Sequence, residues 1–95
     1  MSVVHISTPS DWTRHEARKA FEAAGYTVTN DYTVTGVTRL VISEPISNAA
    51  ITAALRVAGC FYAIIKTIND AGEVKRYILN VTTGRRTLQT YKYTP

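Results

Sequence analysis

Ala17 to Val28 (ARKAFEAAGYTV) and Ile51 to Tyr62 (ITAALRVAGCFY) carry one pattern twice, 34 positions apart. Ala17, Ala20, Phe21 and Ala24 recur as Ile51, Ala54, Leu55 and Ala58, apolar residues at helical spacing. Gly25 and Gly59 follow where a left-handed residue ends a helix. A β-rich run comes next in both copies. The chain therefore reads as an α-β-β pseudo-repeat, about 9–43 and 43–81, inside a single α+β domain covering 1–95.

Working outward, Val3 to Ser7 is short and β-prone, a first strand. Thr8-Pro9-Ser10-Asp11 opens the first helix: Thr8 is placed to cap it, Pro9 suits the first helical position, and Asp11 favours the positive helix end. The helix should run to about Ala24. Tyr26 to Val34 alternates apolar and polar residues as a half-buried strand does, with Asn30-Asp31 as a competing turn signal inside it. Val37–Ser43 is a further strand. Pro45, Ser47 and Asn48 open the second helix, which ends near Ala58. Phe61–Ile68 is apolar on both faces and reads as a central strand. Asn69 to Glu73 makes a hairpin loop, Val74–Val81 a strand, Thr82 to Arg85 a turn and Arg86–Tyr93 a last strand.

The expected fold is a mainly antiparallel sheet with two helices on one face, in the order β-α-β-β-α-β-β-β. Its first six elements match the split βαβ, ferredoxin-like order, with a C-terminal hairpin added. Two α-β-β units sharing one sheet would give the same order. The RNA recognition motif, a family with the ferredoxin-like order, reads bases with aromatic residues on its first and third strands. Here those strands, Val3–Ser7 and Val37–Ser43, hold none, so no site is carried over from it.

Composition narrows the function classes. The chain has 95 residues and a net charge of +4. The single Cys60 rules out an internal disulfide framework and a cysteine zinc site, and fits a reducing compartment. No signal-peptide pattern and no apolar span long enough for a membrane helix is visible. The expectation is a cytoplasmic protein with no membrane partner. The charge is uneven: residues 1–48 carry a net −1 and residues 49–95 a net +5.

Catalytic residues are not indicated. His5 and His15 would have to converge across a cleft to act as an acid–base pair. No metal-ligand spacing and no phosphate-binding glycine loop occurs, so neither a metal nor a cofactor is expected. Cys60 opens a core strand, where most thiols are inert.

The C-terminal hairpin is the expected contact surface. Lys75, Arg76 and Tyr77, then Arg85 and Arg86, then Tyr91, Lys92 and Tyr93 interleave cations with rings. Single-stranded nucleic acid is held by such a mixture, its bases stacking and its phosphates meeting cations. Alternation along the strands also segregates tyrosines from cations, as when tyrosines cover a core. The leading expectation is a non-enzymatic nucleic-acid-binding protein, with an acidic protein surface as the other partner class.

The alternative is an accessory protein of a phage or mobile element that inhibits a host protein by occluding it. Trp12 and the Arg14/Arg18 ridge form a secondary surface for that reading, with Trp12 either exposed or folded over the helix start. The second helix adds another surface. Its polar stripe is only Asn48, Thr52 and Arg56, while Ala49 and Ala53 lie away from Ile51 and Leu55. Either the helix is deeply covered, or the Ala49/Ala53 face joins a homodimer, or these alanines are there as the best helix formers.

Overall fold

The computed structural model describes residues 3–34 and 37–88. Eight elements follow in order: β1 (Val3–Thr8), α1 (Asp11–Ala23), β2 (Asn30–Val34), β3 (Val37–Ile42), α2 (Asn48–Val57), β4 (Tyr62–Ile68), β5 (Val74–Asn80) and β6 (Arg86–Leu88). Six strands form one sheet in the order β2-β3-β1-β4-β5-β6, every neighbouring pair antiparallel. β1 is inserted between β3 and β4, and the hairpin β5–β6 extends the sheet beyond β4. The fold is α+β, with both helices on one face.

The two copies of the repeat end their helices identically. Gly25 (φ 93°) donates to the Glu22 carbonyl and Tyr26 to that of Phe21. Gly59 (φ 72°) donates to Arg56 and Cys60 to Leu55. Each is a Schellman stop, in which a positive φ satisfies two carbonyls the helix leaves unpaired. The residue after each glycine then turns back onto the core: Cys60 is buried and Tyr26 packs against it.

The start of α1 differs from the expectation. Thr8 ends β1 instead of capping, and its hydroxyl donates to the Ser10 carbonyl at 3.1 Å. Ser10 is the cap: its Oγ accepts from the Thr13 amide at 3.2 Å, and its own amide donates to Thr13 Oγ1 at 3.1 Å. This reciprocal pair satisfies two orphan donors, so the helix begins at Asp11 and Pro9 stays outside. Downstream, Asn30 and Asp31 do not turn the chain but open β2. The alternating run Tyr26–Val34 becomes a strand only from Asn30, although Thr29 already donates to the Val41 carbonyl at 2.8 Å.

One core joins both repeats. Phe21 and Leu55 are fully buried with Ile6, Leu40, Ile42, Ile51, Ile65 and Leu79. β1 alternates between buried Val4, Ile6 and Thr8 and half-buried Val3, His5 and Ser7. Ala24, expected on the apolar stripe, is instead the exposed C-cap of α1, because the helix stops one residue before it. Among the described residues, no helix is long and apolar enough to cross a membrane.

Phe21→Ala and Leu55→Ala should each destabilise the fold by about 2–5 kcal/mol, since each leaves a cavity in a shared core. Urea unfolding followed by circular dichroism measures this; a loss below about 1 kcal/mol at both positions would show that the two stripes do not meet a common sheet face.

Candidate functional site

With both helices on one side, the opposite face of the sheet is left uncovered among the described residues. Strand alternation decides what it presents. On β4, Ala63 and Ile65 are buried under the helices, while Tyr62, Ile64, Lys66 and Ile68 point the other way. On β5, Tyr77 and Leu79 are buried and Val74, Arg76, Ile78 and Asn80 point outward.

The register then builds rows across this face. His5 pairs with Val41 of β3 on one side and Lys66 of β4 on the other, and Lys66 pairs with Arg76 of β5. Neighbouring strands lie about 4.8 Å apart, so the row His5–Lys66–Arg76 spans about 10 Å. Two residues along the strands, Arg39, Ser7, Ile64, Ile78 and Thr87 form a parallel row. Two residues the other way lie Val3, Ile68 and Val74. A basic row is thus flanked by apolar residues on both sides. Tyr62 stands 53 % exposed at the far end of β4, beside Ile64 at 36 % and Ile78 at 37 %.

His5 sits among these charges. Burial lowers its pKa below the ordinary 6.5, and the positive charges of Arg39 and Lys66 lower it further. Its Nδ1 is buried with no hydrogen-bond partner. His15 lies elsewhere, on the exposed side of α1 with its Nε2 3.8 Å from Asp11 Oδ2. The sheet separates the two histidines.

The structure redistributes the residues expected to form the contact surface. Arg76 reaches the open face, but Lys75, Tyr77 and Arg86 belong to the helix side of β5 and β6. Tyr77 is a core residue: its ring is buried and its hydroxyl donates to Asn48 Oδ1 of α2 at 3.0 Å. A base cannot stack on it there. Burial raises its pKa, against the opposing charge of Arg86, whose guanidinium lies 5.8 Å from the ring centroid. Lys75, Arg85 and Arg86 are exposed along the hairpin. Tyr91, Lys92 and Tyr93 fall outside the described residues.

The secondary surface also changes. Trp12 is 66 % exposed and does not fold over the helix start. Arg14 is no ridge residue: it lies three positions before Ala17 and seven before Phe21, on the buried stripe, and only 7 % of it is exposed. Its stem packs inward while Nη2 and Nε donate to Asp11 Oδ1 at 2.7 and 3.2 Å. Arg18 remains exposed and donates from Nε to Glu22 Oε1 at 2.9 Å.

The polar stripe of α2 turns out to be structural. Thr52 is buried and donates to the Asn48 carbonyl at 3.0 Å. Arg56 Nε donates to the Val81 carbonyl at 2.9 Å and Nη2 to that of Thr82 at 3.4 Å, tying the helix to the turn before β6. Ala49, Ala53 and Val57 consequently face outward. Cys60 is buried, which raises its pKa, and its Sγ donates to the Tyr62 carbonyl at 3.0 Å.

Sequence reasoning missed His5, Arg39 and Lys66 as a group. Period-two alternation places Tyr62, Ile64 and Lys66 together, but only the register brings β1 and β3 beside them. Among the described residues, no cluster of three His, Cys, Asp or Glu groups is suited to a metal ion. No family model, no curated protein and no solved structure matches this chain.

The lowered pKa of His5 has a consequence for stability. Below pH 6.5 the unfolded chain binds a proton at this position that the folded chain still refuses, so folding weakens as pH falls through that window. His5→Gln removes this contribution. Its melting temperature should fall less than that of the wild type between pH 7 and pH 5, as read by thermal circular dichroism; equal falls would show that His5 titrates normally in the fold.

Proposed function

We propose that this chain is a non-enzymatic binding protein whose ligand is single-stranded nucleic acid, laid across the open face of the sheet. The observation that carries the reading is the in-register row His5–Lys66–Arg76 with Arg39 beside it. Like charges directly opposite one another destabilise a sheet, and an arriving phosphate chain would relieve that repulsion. The flanking Ile64, Ile78 and Tyr62 offer apolar and aromatic surface to exposed bases, which a duplex keeps stacked inside. Lys75, Arg85 and Arg86 on the hairpin edge extend the positive field beyond the face. Separation of the two histidines by the sheet supports binding without catalysis.

A second reading, occlusion of a host protein, is favoured by a different observation. Val57 and Phe61, at the end of α2 and just after it, are 80 % and 76 % exposed. With Ala49 and Ala53, Val57 gives the outward side of α2 an apolar character suited to a protein partner or a second copy. Sedimentation velocity of the wild type beside Val57→Glu separates these: a dimer that the variant fails to form supports the second copy.

Fluorescence anisotropy with short single-stranded and duplex oligonucleotides tests the leading reading. Single strands should bind more tightly than duplex. Lys66→Ala should weaken all sequences alike and reduce the slope of log K against log salt by roughly 0.7 for one phosphate no longer neutralised. Arg85→Ala with Arg86→Ala reports on the hairpin edge, and the larger of the two effects locates the strand. The absence of binding to any single strand near about 50 mM salt, where phosphate-directed binding is strong, would reject the reading.

A further inference from the structure

We propose that His5, Lys66 and Arg76, with Arg39 at their flank, form a subsite for one backbone phosphate of the bound strand, and that filling it draws a proton onto His5. This rests on the nucleic-acid reading above and adds a residue role and a proton to it.

The geometry comes from the register. His5 lies on the central strand β1, so it is faced from both sides. From β3 come Val41 directly opposite and Arg39 one pair along on the same face. From β4 come Lys66 directly opposite, with Ile64 and Ile68 one pair to either side on the same face. Arg76 of β5 follows behind Lys66. The paired segments Thr38–Ile42 and Ile64–Ile68 contain no carboxylate. Both helices, with Asp11, Glu16 and Glu22 of α1, lie on the other side of the sheet. Every charged group facing the imidazole from its paired strands is therefore a cation.

Such a position holds an imidazole neutral. Protonation would add a third charge beside Arg39 and Lys66, and the buried Nδ1 has no acceptor to receive the new N–H. A phosphate changes the first condition: its charge offsets the two neighbouring cations and so favours the imidazolium. The proton comes from solvent, and the anion and the proton stabilise one another. By linkage, the strand must bind more tightly as pH falls, by up to about tenfold per pH unit for one proton taken up. The lowered pKa of His5 in the free protein accords with this resting state.

The test is the affinity of a labelled single-stranded oligonucleotide between pH 7.5 and pH 5.5 at fixed salt. The wild type should tighten as pH falls. His15→Gln, altered on the opposite side of the molecule, should tighten equally. His5→Gln should lose the pH dependence, so that its affinity falls furthest below that of the wild type at pH 5.5. Its melting curve checks that it is folded. The ring signals of His5 in the wild type, followed by NMR with and without the strand, give a second readout that needs no variant: the midpoint should rise on binding. If the wild type binds no strand at any pH, the nucleic-acid reading fails and the subsite with it. If it binds, but His5→Gln keeps the pH slope or the His5 midpoint does not rise, the proton-coupled subsite alone is overturned.

Discussion

Phe21 and Leu55 are delivered to the same side of one sheet by two helices that end in the same way, and the remaining architecture depends on that shared burial. Each is the last core residue of its helix, and each helix stops on a glycine four residues later. The Schellman bonds tie the Phe21 carbonyl to Tyr26 and the Leu55 carbonyl to Cys60. The side chain that anchors the helix and the carbonyl that redirects the chain therefore belong to one residue. Packing and chain reversal are coupled in both copies of the repeat.

Putting both helices on one face has a second consequence. A sheet covered on one side leaves alternate residues of every strand facing outward. Ordinary solvent faces carry scattered polar residues, whereas this one gathers His5, Arg39, Lys66 and Arg76 from four different strands. Apolar Ile64, Ile68, Val74 and Ile78 stand beside them. Alignment of like charges works against strand pairing. Where a sequence departs from what favours its own fold, a binding role is a natural place to look for the compensation.

The hairpin and α2 show the opposite case, in which residues with a functional appearance serve the fold. Tyr77 spans from β5 to Asn48, and Arg56 holds the two carbonyls at the turn before β6. Together they fix how α2 is rolled about its axis. With Asn48, Thr52 and Arg56 turned toward β5 and the turn, the alanines of the other side and Val57 face outward. Exposure of that apolar strip thus follows from the hydrogen bonds on its far side.

The sequence by itself determined the elements and the fold class. Helical spacing at Ala17/Ala20/Phe21 and Ile51/Ala54/Leu55, the two glycine stops and the alternation of Val74–Asn80 are local patterns, set by neighbours a few residues away. The N-cap of α1 reads two residues early because Thr8 and Ser10 both have capping side chains, and only the bond with Thr13 distinguishes them. The candidate site is legible only at Arg76 and the hairpin cations. Arg14 reads as a surface residue because its charge outweighs its place on the buried stripe, and Tyr77 as a contact residue because its ring suggests stacking. Tertiary structure decided the basic row itself. His5, Arg39, Lys66 and Arg76 are distant along the chain, and a shift of one residue in any strand pairing would send a whole strand's set of side chains to the other face. Register is fixed by how the core closes, so the open face became readable only once the sheet was assembled.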